Sequence, residues 1–331
     1  MILHPAVIAN VVASLVVSGA LVYAAYYGIQ ILRKWNLQSG DEFQLILERR
    51  TYLISTILTF MFGLELMSLF LYVFTANNLC PLFVGAMCAA GTLNVNPYGY
   101  PTLLLKIVSF LFSGLWLILN HADNQAYDYP LIKKKYLLLS LIVPFSLLET
   151  VLQGAFFLNL KANVITSCCG SLFSSEQVKG VGSELAALPI VPMMWIFYLG
   201  MGCLLSSGIY FYLKGKGGYL YSTITFVMFG VSLASIISFI SIYIYELPTH
   251  HCPFCIVMEE YDYIGYLLYL PLFGAVVTGT GIGVLLPFRG VESLRAIMPG
   301  LIKKLTLTSL TLYAAFTAIV VYKIAMSNLV L

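Results

Sequence analysis

Tyr52-Leu-Ile-Ser-Thr-Ile-Leu-Thr-Phe-Met-Phe-Gly-Leu-Glu-Leu-Met-Ser68 returns 167 residues later as Tyr219-Leu-Tyr-Ser-Thr-Ile-Thr-Phe-Val-Met-Phe-Gly-Val-Ser-Leu-Ala-Ser235. The two stretches align without a gap, with Tyr, Leu, Ser, Thr, Ile, Met, Phe, Gly, Leu and Ser identical at matched positions. Shared apolar composition does not produce that agreement, so the pair reads as an internal duplication. Flanking matches keep nearly the same offset: Cys80-Pro81 with Cys252-Pro253, Gly99-Tyr100 with Gly265-Tyr266, and Leu131-Ile-Lys-Lys134 with Leu301-Ile-Lys-Lys304.

What is duplicated is a set of apolar runs. Hydrophobic residues make up 60% of the 331 and charged residues 9%, with a mean hydropathy of +0.92. A soluble domain cannot bury that much apolar side chain, so a bilayer is the solvent. Crossing about 30 Å of hydrocarbon takes roughly 20 helical residues. Runs of that length lie at Ala6–Leu32, Tyr52–Phe74, Pro101–Asn120, Tyr136–Leu160, Leu188–Leu213, Tyr219–Tyr245, Tyr263–Pro287 and Leu305–Ala325. Unbroken runs read as helices, not as the alternating strands of a barrel. The expected fold is an all-α integral membrane protein of about eight helices: residues 1–160 form one four-helix repeat, 161–187 a connecting loop, and 188–331 the second repeat. Four spans per unit is even, so the copies insert in the same direction. No basic residue precedes the first run, so that run is expected to stay in the mature chain and not to be removed as a signal peptide.

Basic residues set the orientation. Arg33, Lys34, Arg49, Arg50, Lys133, Lys134, Lys135, Lys214, Lys216, Arg289, Arg295, Lys303 and Lys304 fall after the first, third, fifth and seventh runs, which the positive-inside rule places in the cytoplasm. Both termini and the loops 75–100, 161–187 and 246–262 are then extracytoplasmic. Six of the seven cysteines lie in those outer loops: Cys80 and Cys88, Cys168 and Cys169, Cys252 and Cys255; Cys203 sits within a run. That face of a cell or inner membrane is where disulfides form and persist.

Cys252-Pro-Phe-Cys255 has the spacing that brings two sulfurs together, and the apolar run resuming at Tyr263 suggests that they open a helix, whose N-terminal N–H groups would activate the first thiol. His250 and His251 precede the pair and can supply charge or a proton, while Glu259, Glu260 and Asp262 follow it. Three uses of the thiols stay open: redox exchange, structural disulfides tying the loops, and a metal site with nearby histidines or carboxylates. Charges inside the runs form a second candidate set. Glu65, Lys106 and Glu149 each cost at least about 2.5–3.5 kcal/mol in hydrocarbon, which marks a pathway, a ligand site or a pair binding helices together. Their counterparts in the second copy are Ser232, the region of Leu272 and the region of Ala318, so the helices form without them.

A C-x-x-C beside outer-loop cysteines resembles the membrane thiol oxidoreductases of the vitamin K epoxide reductase and DsbB type. Cys80-Pro-Leu-Phe-Val-Gly-Ala-Met-Cys88 and Cys169-Gly-Ser-Leu-Phe-Ser-Ser175 are similar to the loop-cysteine region of those families. The resemblance implies that Cys252 and Cys255 form a quinone-proximal pair, that Cys80, Cys88, Cys168 and Cys169 form a relay, and that an extracytoplasmic thioredoxin-like partner supplies or receives electrons. Those families use one four- or five-helix bundle with a cytoplasmic N-terminus, from which this duplicated chain departs. The two-by-four architecture is also similar to NrfD-type membrane anchors of respiratory complexes. By that analogy Glu65, Lys106 and Glu149 bind quinone or protons, the cysteines are staples, and the chain is one subunit of a larger assembly with a cytochrome or iron–sulfur partner. A transporter with parallel repeats is a third expectation. No haem or nucleotide motif is found, and no nucleic-acid partner is expected: Lys214-Gly-Lys-Gly-Gly218 reads as a turn, and Gly279-Thr-Gly-Ile-Gly283 as a helix-packing face.

Overall fold

A computed structural model describes residues 3–36, 41–161, 164–166 and 188–329. The described residues contain helices and turns and no strand. In chain order the helices are α1 (Pro5–Lys34), α2 (Glu42–Leu79), α3 (Ala89–Leu93), α4 (Gly99–Asp123), α5 (Ile132–Leu158), α6 (Ile190–Lys214), α7 (Gly218–Ser235), α8 (Ser241–Tyr245), α9 (Ile264–Leu285) and α10 (Met298–Met326). A π-helical turn, Ile236–Ile240, joins α7 to α8 in one continuous rod. Eight segments, counting α7 and α8 together and omitting α3, are long and apolar enough to cross a membrane. The chain is an integral membrane protein.

Each expected span lies within or close to one of these helices. The largest difference is at α2, which starts ten residues before the expected Tyr52. Its 38 residues extend about 57 Å, far more than the hydrocarbon needs. Residues 42–51 carry Glu42, Glu48, Arg49 and Arg50, good helix formers that do not belong in lipid. Hydropathy marks the buried length of such a helix and misses its polar extension.

The chain separates into two compact units. Unit 1 comprises Met1–Thr75, Asn96–Leu160 and Pro287–Leu301; unit 2 comprises Ala76–Val95, Lys161–Leu286 and Ile302–Leu331. In unit 1, α1 begins with Pro5 in its first turn and the His4 ring accepting from the Ala6 N–H, and ends with Arg33 and Lys34 opposing the helix dipole. Its buried stripe includes Asn10, Ser14, Ser18 and Gly28, small or polar groups that let α5 approach. Gln153 Nε2 of α5 donates to the Asn10 carbonyl at 2.9 Å and to Ser14 Oγ at 3.0 Å, the polar bonding that helices use where lipid is as apolar as their side chains.

One residue of the orientation argument changes place. Lys135, counted above with the cytoplasmic charges, is 1% exposed in the first turn of α5. Its Nζ reaches Asp123 Oδ2 at 2.8 Å and donates to Asn120 Oδ1 at 3.0 Å. Asp123 Oδ1 also accepts from the Leu131 N–H at 2.7 Å, and the Lys135 carbonyl accepts from Trp116 Nε1 at 3.1 Å. A charge beside a basic cluster reads as loop in sequence; here it is held inside the unit because Asp123 and Asn120 meet it.

In unit 2 Gly274, Gly279 and Gly283 of α9 face α7 or α10. A Cβ on Gly279 would lie 2.7 Å from Thr225 Cγ2 and 2.8 Å from Ser309 Oγ, so only glycine fits. Tyr221 OH donates to Ser309 Oγ at 2.9 Å, and Tyr313 OH to the Thr225 carbonyl at 2.7 Å. Gly279→Val is expected to force these helices apart and cost about 1–3 kcal/mol, seen as a lower thermal midpoint of the purified protein in detergent.

Candidate functional site: a buried three-sulfur centre

Cys88, Cys252 and Cys255 converge in unit 2. Their three sulfurs lie within 4.8 Å of one another, and Cys88 Sγ and Cys252 Sγ are 3.6 Å apart. Cys88 and Cys252 are fully buried and Cys255 is 5% exposed.

Local chain geometry explains how two distant loops meet. Cys88 is the extended residue that caps α3, its carbonyl accepting from the Gly91 N–H at 3.0 Å. The loop before it turns at Gly85, whose φ of +86° favours glycine. Thr166 locks that loop from outside: its N–H donates to the Val84 carbonyl at 3.0 Å and its hydroxyl to the Gly91 carbonyl at 2.8 Å. A Cβ at Gly85 would collide with the Thr166 carbonyl.

The C-x-x-C departs from its expected setting. Cys255 starts a single 3-10 turn, Cys255–Val257, and α9 begins only at Ile264. Met258 is extended, and Asp262 and Tyr263 both have φ of +53°, so the helix cannot start earlier and its N-terminus does not reach the sulfurs. Two tyrosines fix the turn instead: Tyr245 OH donates to the Cys252 carbonyl, and Tyr269 OH to the Pro253 carbonyl at 2.7 Å. The Phe254 N–H donates to Cys252 Sγ at 3.4 Å, a local donor that favours the thiolate in place of a helix dipole. Glu259, Glu260 and Asp262 are exposed.

The two histidines divide their roles. His251 Nδ1 contacts the Ile237 carbonyl at 3.0 Å, in the π-turn. A π-turn releases carbonyls from the helical ladder, and His251, donating from Nδ1, satisfies this one. His250 packs edge-on against Tyr245, ring centroids 4.4 Å apart, and its Nε2 is buried with no partner among the described residues. Burial holds the His250 imidazole below its ordinary pKa; the charge of Cys88 opposes that shift and His251 adds to it.

Of the other expected site residues, Cys80 lies in the 3-10 turn after α2, 7% exposed, where it interacts electrostatically with Cys88 and Glu260. Cys168 and Cys169 lie outside the described residues. Glu65, Lys106 and Glu149 belong to unit 1, where Lys106 Nζ and Glu149 Oε1 form a 2.7 Å ion pair. Among described residues, Cys88, Cys252 and Cys255 are also the group whose geometry suits a metal ion. Sequence reading did not anticipate Tyr245, Tyr269 and Thr166, which hold backbone and carry no motif. Comparison with protein-family models, with curated proteins and with solved structures gives no match to this chain.

Proposed function

We propose that this protein is a membrane thiol–disulfide oxidoreductase that passes electrons between extracytoplasmic thiols and a membrane quinone. The observation that carries the reading is the 3.6 Å approach of Cys88 to Cys252 with Cys255 alongside. Exchange needs a third sulfur in contact with one sulfur of a pair, so that one S–S bond forms as another breaks. The Cys88 thiolate attacks Cys252 of an oxidised Cys252–Cys255 pair, the Cys88–Cys252 bond forms, and Cys255 leaves as a thiolate and takes up a proton. A second thiol then attacks Cys88 and releases Cys252. The Cys252/Cys255 dithiol is reoxidised by losing two electrons and two protons.

His250, neutral at ordinary pH, takes the Cys88 proton. His250→Gln is expected to slow exchange about 10²-fold, measured as the rate of Cys88–Cys252 formation at pH 7. A quinone supplies the terminal two-electron, two-proton acceptor. The residue that would meet one of its oxygens is His250, whose buried Nε2 has no partner among the described residues. A 380 Å³ groove between α7 and α9, lined by Tyr219, Phe226 and Val284, does not serve the sulfurs: it lies at the other end of α7, about 30 Å along the rod from Tyr245.

In this reading the sulfur loops face outward, which the basic residues left after removing Lys135 still favour, and the halves are parallel copies of one four-helix repeat. A thioredoxin-like partner exchanges with the remaining cysteines of the relay, Cys80, Cys168 and Cys169. A second reading has its own support, because 3.6 Å is close to the separation of two thiolates on one tetrahedral ion with metal–sulfur bonds of about 2.3 Å. Thiol trapping on intact membranes, with peptide mapping after adding oxidised or reduced quinone, separates the two. Cycling of Cys252–Cys255 with the quinone state supports the oxidoreductase. Sulfurs that stay protected until a chelator is added, together with zinc in the purified protein, establish the metal site, and invariant disulfides reduce the centre to a staple.

A further inference from the structure

Unit 1 buries three ionisable side chains side by side. Glu65 of α2, Lys106 of α4 and Glu149 of α5 are 4%, 1% and 1% exposed. Lys106 Nζ contacts Glu149 Oε1 at 2.7 Å, donates to Ser68 Oγ at 3.2 Å, and stands 5.6 Å from the centroid of the Tyr72 ring. The Glu65 carboxyl is close enough to both Glu149 and Lys106 to interact with each electrostatically. Glu65 Oε1 and Glu149 Oε2 meet no donor among the described residues.

Two carboxylates that share one ammonium in an apolar setting repel each other unless one of them holds a proton. Charge counting agrees: with one ammonium and two carboxylates the group is neutral only when a single proton is shared, and hydrocarbon strongly favours neutrality. Tyr72, the other titratable group at the cluster, donates its hydroxyl to the Gly99 carbonyl at 3.1 Å and does not change the count.

The cluster is not isolated within its unit. The buried face of α4 carries Thr102, Lys106, Ser109, Ser113, Asn120 and Asp123. Ser109 Oγ and Ser113 Oγ are fully buried without a partner among the described residues, the setting in which buried water completes hydrogen bonds. From Lys106 to Asp123 the helix rises about 25 Å, most of the hydrocarbon thickness. Asp123 is where Lys135 and Asn120 close the stripe at its far end.

We infer that Glu65 and Glu149 bind one exchangeable proton between them, and that hydroxyls and waters along α4 connect it to the Asn120–Asp123–Lys135 end of the unit. The ligand is a proton, and the site does not depend on what the cysteines do.

Infrared spectroscopy of the purified full-length protein in lipid tests both parts, because a protonated carboxyl in an apolar setting gives its own carbonyl band. Wild type should show one such band from this cluster. Glu65→Gln and Glu149→Gln should each abolish it, since the remaining carboxylate then pairs with Lys106. Lys106→Met should double it. No band in the wild type, or a band unchanged in all three variants, overturns the site. On transfer to deuterium oxide the wild-type band should shift, and Ser113→Val, which replaces a hydroxyl with a methyl, should slow that shift severalfold; an equal rate overturns the connection. Each variant's helix content is checked by far-UV circular dichroism, and a variant that loses it is replaced by Glu65→Asp, which should keep one band.

Discussion

A Cys255→Ser protein should accumulate a disulfide between Cys88 and Cys252, while Cys252→Ser should lose thiol-linked quinone reduction by about 10³-fold or more, as removal of a covalent nucleophile does. The asymmetry follows from placement. Cys88 touches Cys252 at 3.6 Å, so Cys252 is the sulfur attacked, and Cys255, on the 3-10 turn, is the leaving group. With serine at 255 no Cys252–Cys255 bond forms; the Cys252 thiolate attacks Cys88 of an oxidised Cys80–Cys88 pair, Cys80 leaves as a thiolate, and the Cys88–Cys252 bond persists because no thiol at 255 resolves it. Peptide mapping of the trapped protein checks this directly, and a mixed disulfide joining Cys88 to Cys255 instead, in Cys252→Ser, would reverse the assignment. All three sulfurs are almost fully buried, so alkylation of the native protein should be slow and should speed up sharply on unfolding.

The second large effect is on stability. Lys135→Met should destabilise the protein by about 3–5 kcal/mol, because it strands the Asp123 carboxylate in a site with no exposure. Adding Asp123→Asn should recover most of that loss: asparagine keeps an oxygen for the Leu131 N–H and removes the unpaired charge. Detergent-resistance midpoints of the two single variants and the double variant give the coupling, and additive losses would show that the pair is not the cause.

The apolar runs made the eight crossings legible, since length and hydropathy are what a bilayer selects. Glu65, Lys106 and Glu149 were legible for the opposite reason, as single charges inside such runs. Asp123 and Lys135 were not, because they lie at run ends, where charge is ordinary, and only packing shows that the ends of α4 and α5 are interior. The cysteines were visible by type and by loop, but six cysteines allow 15 pairings, and sequence does not say that Cys88 joins the C-x-x-C. The expected helix start at Cys252 failed at particular residues: extended Met258 and left-handed Asp262 and Tyr263 cannot be inferred from their side chains. Tyr245 and Tyr269 escaped notice because a tyrosine in an apolar run looks like packing until its hydroxyl is seen on a carbonyl.

The π-turn at Ile236–Ile240 gives the sulfur centre a dependence on residue number. One residue more than an α-turn sets α8 about 100° out of phase with the rod below it. That phase is what brings His251 onto the Ile237 carbonyl and Tyr245 onto the Cys252 carbonyl. Removing any one of these five residues would leave an apolar helix of nearly unchanged composition, yet would rotate everything beyond it and swing Cys252 away from Cys88. Conservative replacements in 236–240 should therefore be tolerated where a single deletion is not, so the segment acts as a spacer whose length, and not its chemistry, keeps the centre aligned.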